Sequence, residues 1–488
     1  MSTKIKAYKL LYINDRELSS DTDDTDYEIG KCYDERVFKK SKLKRKTTKH
    51  HKSTTLAVRK KSSRHNYDKK GNIDNNYPTV DTWSVLPTEI LSYVFQLLIL
   101  LPSDVPNVRL VIRCALVCKH WCEVVKQPFT WKTADLSFMG GSKEATDSNI
   151  INLVKAQFSE LKELNLSGWI DITDKGLIAV SKYCKKLQSL NISFCQRKEI
   201  SKVSENSLLA LAEKCSLKKI NFSNLRVAKN YSKAMKNFLE LSGINLTHIN
   251  LSQNIALGSS LLTSVCRCCT SLKSLDLSNT SVRCVSFSNL QDSCQLLEEL
   301  YLSNLNLEPK PFKHQDAQGF PALKACSLAV QSFPGWLTDN LLLGITKNAE
   351  NLTHLDIRGN SQVTRKGFFL CTTKLEKLFI SGCEVSSDIS ELIFQRWSHS
   401  LLYLDLSKIK PSQESMTDIV NCVLKCSKLT HLDLTGTSVF DVHIQHVLKS
   451  LPNLCVLDLT SCRSLSRGIK RLHSNEQLGI LSEKIKNL

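Results

Sequence analysis

From about Asn149 onward, the apolar residues fall into a short pattern, apolar at the first, fourth and sixth positions, that recurs twelve times. Its first positions are Leu161, Leu187, Leu217, Leu246, Leu272, Leu297, Leu323, Leu352, Leu375, Leu401, Leu429 and Leu454. Alternation at the fourth and sixth positions predicts a short strand whose two apolar side chains share one buried face. Between these strands run segments with a different period. In 173–184, Leu177, Val180 and Cys184 recur at three-to-four spacing behind Thr173, a good N-cap residue, which predicts a helix. One strand and one helix per repeat predict an α/β solenoid, with parallel strands on one face and helices on the other.

The repeat spacing of 23 to 30 residues sits close to the range of about 20–29 expected for leucine-rich repeats. A horseshoe of about 12 repeats over 149–470 is therefore expected, followed by a tail at 471–488. The repeat at Leu323 is degenerate, with Cys326 in place of its second leucine, and the proline-bearing stretch 309–321 before it predicts a loop leaving the array.

Ahead of the array, 81–138 reads as a small all-α module. Ile90, Val94, Leu97 and Leu101 recur at helical spacing, and Leu91, Phe95 and Leu98 form an adjacent stripe. Pro87 fits the first turn of that helix. A connection over 102–107 leads to a second predicted helix from about Leu110 to Lys126, and Pro128 to Trp131 closes the unit. Helices that are apolar on more than one face either pack on themselves or finish their burial against a partner.

Residues 1–80 carry 20 Lys/Arg and 11 Asp/Glu, nearly half of the chain's net charge of +19. An acidic run at Asp21–Glu28 precedes basic clusters at Lys39–Lys46 and Arg59–Lys61. Such like-charge blocks bury too little apolar surface to offset ordering entropy, so a disordered tail is expected. The basic clusters suit nuclear import, giving a nuclear and/or cytoplasmic protein; sparse aromatics make nucleic acid a poor expected partner. No apolar run approaches the ~20 residues of a membrane span, so no membrane association is expected.

Nineteen cysteines are placed as core residues rather than as a disulfide or metal framework. Cys195, Cys383 and Cys462 each lie three residues beyond the last apolar position of a repeat, and buried thiols behave as small hydrophobes. Cys266, Cys268 and Cys269 form one dense cluster without a partner pair, which argues against zinc. No catalytic constellation, metal or cofactor is expected. His354 and His431 occupy equivalent outward strand positions, where any polar residue fits.

The order of features resembles the F-box/LRR-repeat proteins over roughly 84–470. The resemblance rests on Leu86-Pro87-x-x-Ile90-Leu91 with Phe95, on Leu116-Val117-Cys118-Lys119-x-Trp121, on Pro128-x-x-Trp131, and on repeats ending in Cys with Ile172-Thr-Asp-x-Gly-Leu177 between them. It implies a non-catalytic substrate receptor of an SCF-type (Skp1–cullin–F-box) ubiquitin ligase. Leu86, Pro87, Ile90, Leu91, Phe95, Leu98, Leu116, Val117, Cys118, Trp121 and Trp131 match the pattern that docks Skp1, and through it the cullin and RING subunits. A nuclear interaction scaffold without degradative function is the alternative.

The substrate, an unidentified protein, is expected on the concave strand face. Between the fourth and sixth repeat positions stand Asn165, Asn191, Asn221 and Asn250, then Asp276, Tyr301, Ser327, Asp356, Phe379, Asp405, Asp433 and Asp458. Amides fill the early repeats and carboxylates dominate the later ones. Tyr301, Phe379 and the neighbouring Tyr403 add aromatic surface, so Tyr301, Asp356, Phe379, Tyr403, Asp405 and Asp433 are the expected substrate contacts.

Overall fold

The computed structural model describes residues 86–101, 107–195, 202–225, 230–308, 317–331, 335–370 and 372–486. The basic and acidic blocks of the first 80 residues lie outside these, as does most of the 309–321 loop.

The N-terminal module contains α1 (Thr88–Leu100), α2 (Asn107–Cys114) and α3 (Lys119–Val125). The single helix expected over 110–126 is thus two. The break has a local cause: Cys118 is extended and caps α3, its sulfur accepting the Trp121 N–H, while Leu116 and Val117 turn on hydrogen bonds to the carbonyls of Arg113 and Cys114. Leu91 and Phe95 face inward on α1, and the Phe95 ring meets Trp121 edge-on at 5.4 Å. Below α1, the Thr130 hydroxyl donates to the Val124 carbonyl and meets the Ser92 hydroxyl.

All twelve predicted strands are present, as β2 (Glu163–Asn165), β3 (Ser189–Asn191), β4 (Lys219–Asn221), β5 (His248–Asn250), β6 (Ser274–Asp276), β7 (Glu299–Tyr301), β8 (Ala325–Ser327), β9 (His354–Asp356), β10 (Lys377–Phe379), β11 (Tyr403–Asp405), β12 (His431–Asp433) and β13 (Val456–Asp458). Two further strands extend the sheet. At its start, β1 (Thr133–Asp135) pairs parallel with β2 in the same register as the rest. Its repeat reads Trp131, Ala134, Leu136, so a tryptophan and an alanine stand where the leucine pattern would have marked it. At the other end, 471–488 is not simply a tail: β14 (Leu472–Ser474) folds back antiparallel onto β13, and a helix follows at Glu476–Lys486. Covering a terminal strand removes an exposed edge that could pair with other chains. The order β1 to β14 is sequential throughout.

Three devices recur in closing the repeats. After the strand, the side-chain Oδ1 of the Asn or Asp accepts the backbone N–H two residues on, as from Asn165 to Ser167 at 3.0 Å and Asp458 to Thr460 at 2.9 Å. The chain then turns through a left-handed residue, glycine at Gly168, Gly359, Gly382 and Gly436, asparagine at Asn224, Asn279 and Asn304, and Phe194, Gln253, Lys408 or Ser461 in four others. One position later, a buried donor reaches back to the preceding repeat. Cys195 and Cys462 donate to the Leu166 and Leu434 carbonyls at 3.0 Å each, Cys383 to that of Ile357, Asn254 and Asn360 to those of Phe222 and Leu328, and Trp169 to that of Leu136. The cysteine position is therefore a hydrogen-bonding site between repeats as well as a core site. Burial pushes the thiols of Cys195 and Cys383 up to about 12.

On the helix side, the first helical aspartate of one repeat holds the helix start of the next. Asp147 accepts from Thr173, Asp174 from Ser204 and Asp339 from Thr364 at helix starts, and Asp441 accepts from Ser466 in the turn after β13, each through both the backbone N–H and the hydroxyl. This explains the recurring Thr-Asp pair between strands: the hydroxyl residue caps its own helix while docking on the previous one.

Candidate functional site

Two surfaces stand out. The first is on the helical module. Ile90, Tyr93, Leu97 and Leu100 lie at i, i+3, i+7 and i+10 on α1, one continuous stripe, and all four are solvent-exposed, Ile90 by 52% and Tyr93 by 59%. The α2–α3 turn adds Leu116 and Val117 at 68% and 62% exposure, because the bonds that close it turn both side chains outward. Isolated exposed leucines are ordinary, but an aligned apolar stripe on a helix marks an interaction surface.

The eleven residues matched to a docking pattern divide by burial. Ile90, Leu116, Val117 and Pro87 are exposed; Leu86, Leu98, Cys118 and Trp121 are half-buried. Leu91, Phe95 and Trp131 are wholly buried and cannot meet a partner directly. Phe95 is core, not an exposed anchor. Trp131 occupies the first repeat position of β1, with its indole N–H on the Val125 carbonyl at 2.8 Å and its ring 5.9 Å from Phe158. It joins the module to the sheet. Tyr93 and Leu100 escaped the sequence pattern, although their spacing from Ile90 and Leu97 carried the signal.

The second surface is the open face of the sheet. Phe379 of β10 lies 4.8 Å from Tyr403 of β11, and Tyr403 stacks on His431 of β12 at 5.3 Å and 15°. The guanidinium of Arg358 sits 5.2 Å over the Phe379 ring. Arg358 also grips Asp356, with Nε to Oδ1 and Nη2 to Oδ2 both at 2.8 Å, and reaches 3.9 Å to Asp405. The result is a row, Arg358–Phe379–Tyr403–His431, crossing four neighbouring strands. Arg358 was not foreseen, but it stands where most repeats carry Ser, and that departure was the available signal.

The carboxylates differ from one another. Asp356 is filled by Arg358 and by the Ser327 hydroxyl. Asp405 is only 4% exposed and accepts the Ser407 N–H, so it underlies the aromatic row instead of presenting an open charge. Burial raises its pKa, and burial does the same to Asp433, which accepts the Thr435 N–H. Tyr301 is not part of the row. It lies on β7, separated from β10 by β8 and β9, and burial pushes its phenol up to about 12.

His431 belongs to a repeated pair. The hydroxyls of Thr247, Thr353 and Thr430 each lie 2.7–2.9 Å from Nδ1 of the following histidine, His248, His354 and His431. Each hydroxyl also donates to a carbonyl of the preceding repeat, of Lys218, Lys324 and Leu402 respectively. Its single proton is thereby spent, so Nδ1 must be the donor and Nε2 is left as an acceptor. Burial lowers all three histidine pKa values.

Among the described residues, no group of three or more His, Cys, Asp or Glu is placed to hold a metal ion, and no helix is long and apolar enough to cross a membrane.

Residues 83–137 match the F-box-like family model. The F-box/TPR repeat protein pof3 of Schizosaccharomyces pombe is 22% identical over 396 residues, covering 78% of this chain and 61% of that protein. The DNA repair protein rhp7 of the same yeast is 24% identical over 319 residues, covering 62% of this chain and 50% of that protein. The chain thus spans between half and about three-fifths of the length of these curated relatives. Among solved structures, the yeast Rad7–Elc1 complex aligns with a TM-score of 0.44 at 18% identity, over 80% of this chain and 92% of that one. An internalin of Listeria monocytogenes aligns with a TM-score of 0.39 at 14% identity, over 68% and 96%.

A helical module with an exposed apolar stripe is joined directly to a repeat sheet with an open polar and aromatic face. Residues 83–137 thus carry an F-box-like domain, and the repeats that follow form a leucine-rich-repeat solenoid.

Proposed function

We propose that this protein is the substrate-recognition subunit of an SCF-type ubiquitin ligase. The F-box docks Skp1 through Ile90, Tyr93, Leu97, Leu100, Leu116 and Val117, and Skp1 links it to cullin and RING subunits. A protein substrate is held on the open sheet face around Phe379 and Tyr403. The observation that carries this reading is the unbroken apolar stripe on α1 of an F-box-like domain, left in solvent while the opposite face of the same helix is fully packed. Such a stripe finishes its burial on another protein, and large apolar anchors carry most of the energy of such contacts.

The chain contributes proximity rather than chemistry. Ubiquitin transfer is carried out by other subunits, and holding a substrate lysine near a charged carrier converts a bimolecular encounter into an effectively intramolecular one. The aromatic row supplies the substrate anchor, and Tyr301 and Asp433 flank it. Asp356 and Asp405 hold Arg358 at one end of it and act as positioning residues. The basic clusters at Lys39–Lys46 and Arg59–Lys61 direct the protein to the nucleus, a placement supported by the DNA-repair name of one relative.

The test is capture of purified Skp1 by the full chain. Ile90→Asp with Leu97→Asp removes capture while the sheet stays folded by circular dichroism; undiminished capture by that variant overturns the docking surface. A chain that binds no Skp1 but retains a nuclear partner on its sheet face is the non-degradative scaffold instead.

A further inference from the structure

The early half of the sheet face differs in chemistry from the aromatic half. Asn165, Asn191 and Asn221 lie side by side in one register column across β2, β3 and β4. In each, Oδ1 is occupied by the N–H two residues on, of Ser167, Ser193 and Ser223 at 3.0, 2.9 and 3.1 Å. That fixes the amide orientation and leaves each Nδ2 group, a double donor, turned toward the open face. Asn250, next in the column, spends its amide on Asp276, where the described donor row ends.

Asn191 and Asn221 border a concavity of about 340 Å³ on the open face, spanning β3 to β7. Lys219 stands on its floor, in register with Ser189 on one side and His248 on the other. No ion pair engages Lys219 among the described residues. The acidic side chains in this concavity, Asp276 and Glu299, lie at its far end on β6 and β7. Glu299 there accepts the Ser274 hydroxyl at 2.7 Å, and Asp276 accepts the Ser278 N–H at 2.9 Å. The Lys219 end is therefore rich in donors and carries one open cation.

We infer that the β3–β4 end of this concavity is a subsite for carboxylate side chains of an extended acidic peptide segment. Two amide donors about 4.8 Å apart, the spacing of neighbouring strands, and one lysine converge on it. Charge-assisted hydrogen bonds from such donors are roughly twice as strong as neutral ones. The inference rests on the reading of the sheet face as the substrate surface, and it gives that surface a direction. An acidic segment lies on β3–β4, and the anchor that follows lies on Phe379 and Tyr403. At the far end the sign reverses, because Asp433 and Asp458 each commit one oxygen to a backbone N–H and turn the other outward.

An isosteric exchange isolates the claim. Asn191→Asp with Asn221→Asp keeps Oδ1 for the turn, as the natural aspartates at equivalent positions in β12 and β13 do, and replaces the outward donors with an acceptor. The probe is a fluorescein-labelled hexaglutamate peptide read by anisotropy, with hexaglutamine as its neutral counterpart. Both are measured on the full chain and on a chain with Lys39–Lys46 and Arg59–Lys61 changed to Gln, which removes binding by the basic tail. The expected result on the tail-neutralised chain is hexaglutamate bound at least about tenfold tighter than hexaglutamine, and about a tenfold loss in the double variant, a factor equivalent to 1.4 kcal/mol. Equal affinity in the double variant, or equal binding of the two peptides, overturns the subsite. Failure of the ligase reading shows separately, as loss of Skp1 capture with peptide binding intact.

Discussion

The carboxylate of Asp147 accepts both the backbone N–H and the hydroxyl of Thr173, at 2.9 and 2.5 Å, across 26 residues of sequence. Asp174, the next residue, does the same for Ser204. Helix starts are thus chained from repeat to repeat, each capping residue serving its own helix and its neighbour's. Asp147→Ala removes three hydrogen bonds to a charged acceptor, the third from the Gly176 N–H at 3.2 Å, each worth about 1.5–3 kcal/mol at a protected site and less at this part-exposed one. We expect a loss of about 1–3 kcal/mol in denaturant unfolding, with Thr173→Ala nearly non-additive on top of it. Additive losses would show that the two residues do not form one unit.

Buried and exposed faces of α1 separate folding from docking. Phe95→Ala opens a cavity against Trp121 and costs about 3–5 kcal/mol of stability, lowering the melting temperature of the module. Tyr93→Ser, on the outer face, leaves stability unchanged and weakens Skp1 capture. Calorimetry and pull-down on the two variants decide the matter. A Tyr93 variant that melts early but still binds Skp1 would reverse the assignment.

Asp405 gives a pH signature with a definite sign. Burial raises its pKa in the folded state, so the folded protein holds a proton more tightly than the unfolded chain. Stability is then fully favoured below the unfolded carboxylate value and falls as pH rises through the window up to the raised folded value. Asp405→Asn retains the acceptor for the Ser407 N–H and removes the charge. The variant should melt higher than the parent at neutral pH and no higher at low pH. A lower melting point at neutral pH would mean that the contact with Arg358 outweighs desolvation.

Thiol reactivity follows the repeat position. Cys195 and Cys383 donate to neighbouring carbonyls and are buried, with thiols pushed up to about 12, whereas Cys455 is exposed. Iodoacetamide on the native protein should label Cys455 within minutes and leave Cys195 and Cys383 untouched until the sheet unfolds, because the thiolate is the reacting species. Peptide mass mapping of the labelled sites reads this directly. Labelling of Cys195 in the native state would contradict the packing.

The strands were legible because leucine spacing reports a face directly: every block from Leu161 to Leu454 became a strand in the expected register. The strand before them was hidden by Trp131 and Ala134, which fill the same inward positions with other volumes. The closing strand was hidden because β14 runs antiparallel and carries His473 inward instead of leucine. Within the F-box, two apolar stripes on α1 were visible, but which faced solvent depended on where α2 and α3 pack. The open sheet face was read as amides in the early repeats and as carboxylates with Tyr301, Phe379 and Tyr403 in the later ones. Arg358 bridging Asp356 and Asp405 is a tertiary contact that no local pattern encodes, and it turns two expected open charges into internal supports.

A double variant in the aromatic row tests whether the proposed substrate surface is separate from the proposed Skp1 surface. Phe379→Ala with Tyr403→Ala should abolish capture of the protein substrate and leave Skp1 binding within twofold of the parent. The comparison uses partners recovered with the full chain while cullin ligases are inhibited. A substrate set unchanged in the double variant would place recognition elsewhere on the solenoid.

The most direct measurement is titration of purified Skp1 into the full chain by isothermal calorimetry, beside the Ile90→Asp, Leu97→Asp variant. The account predicts a one-to-one complex for the parent chain and at least about a hundredfold weakening, 2.7 kcal/mol or more, in the variant. No heat of binding with the parent chain, or equal affinity for both, would contradict it.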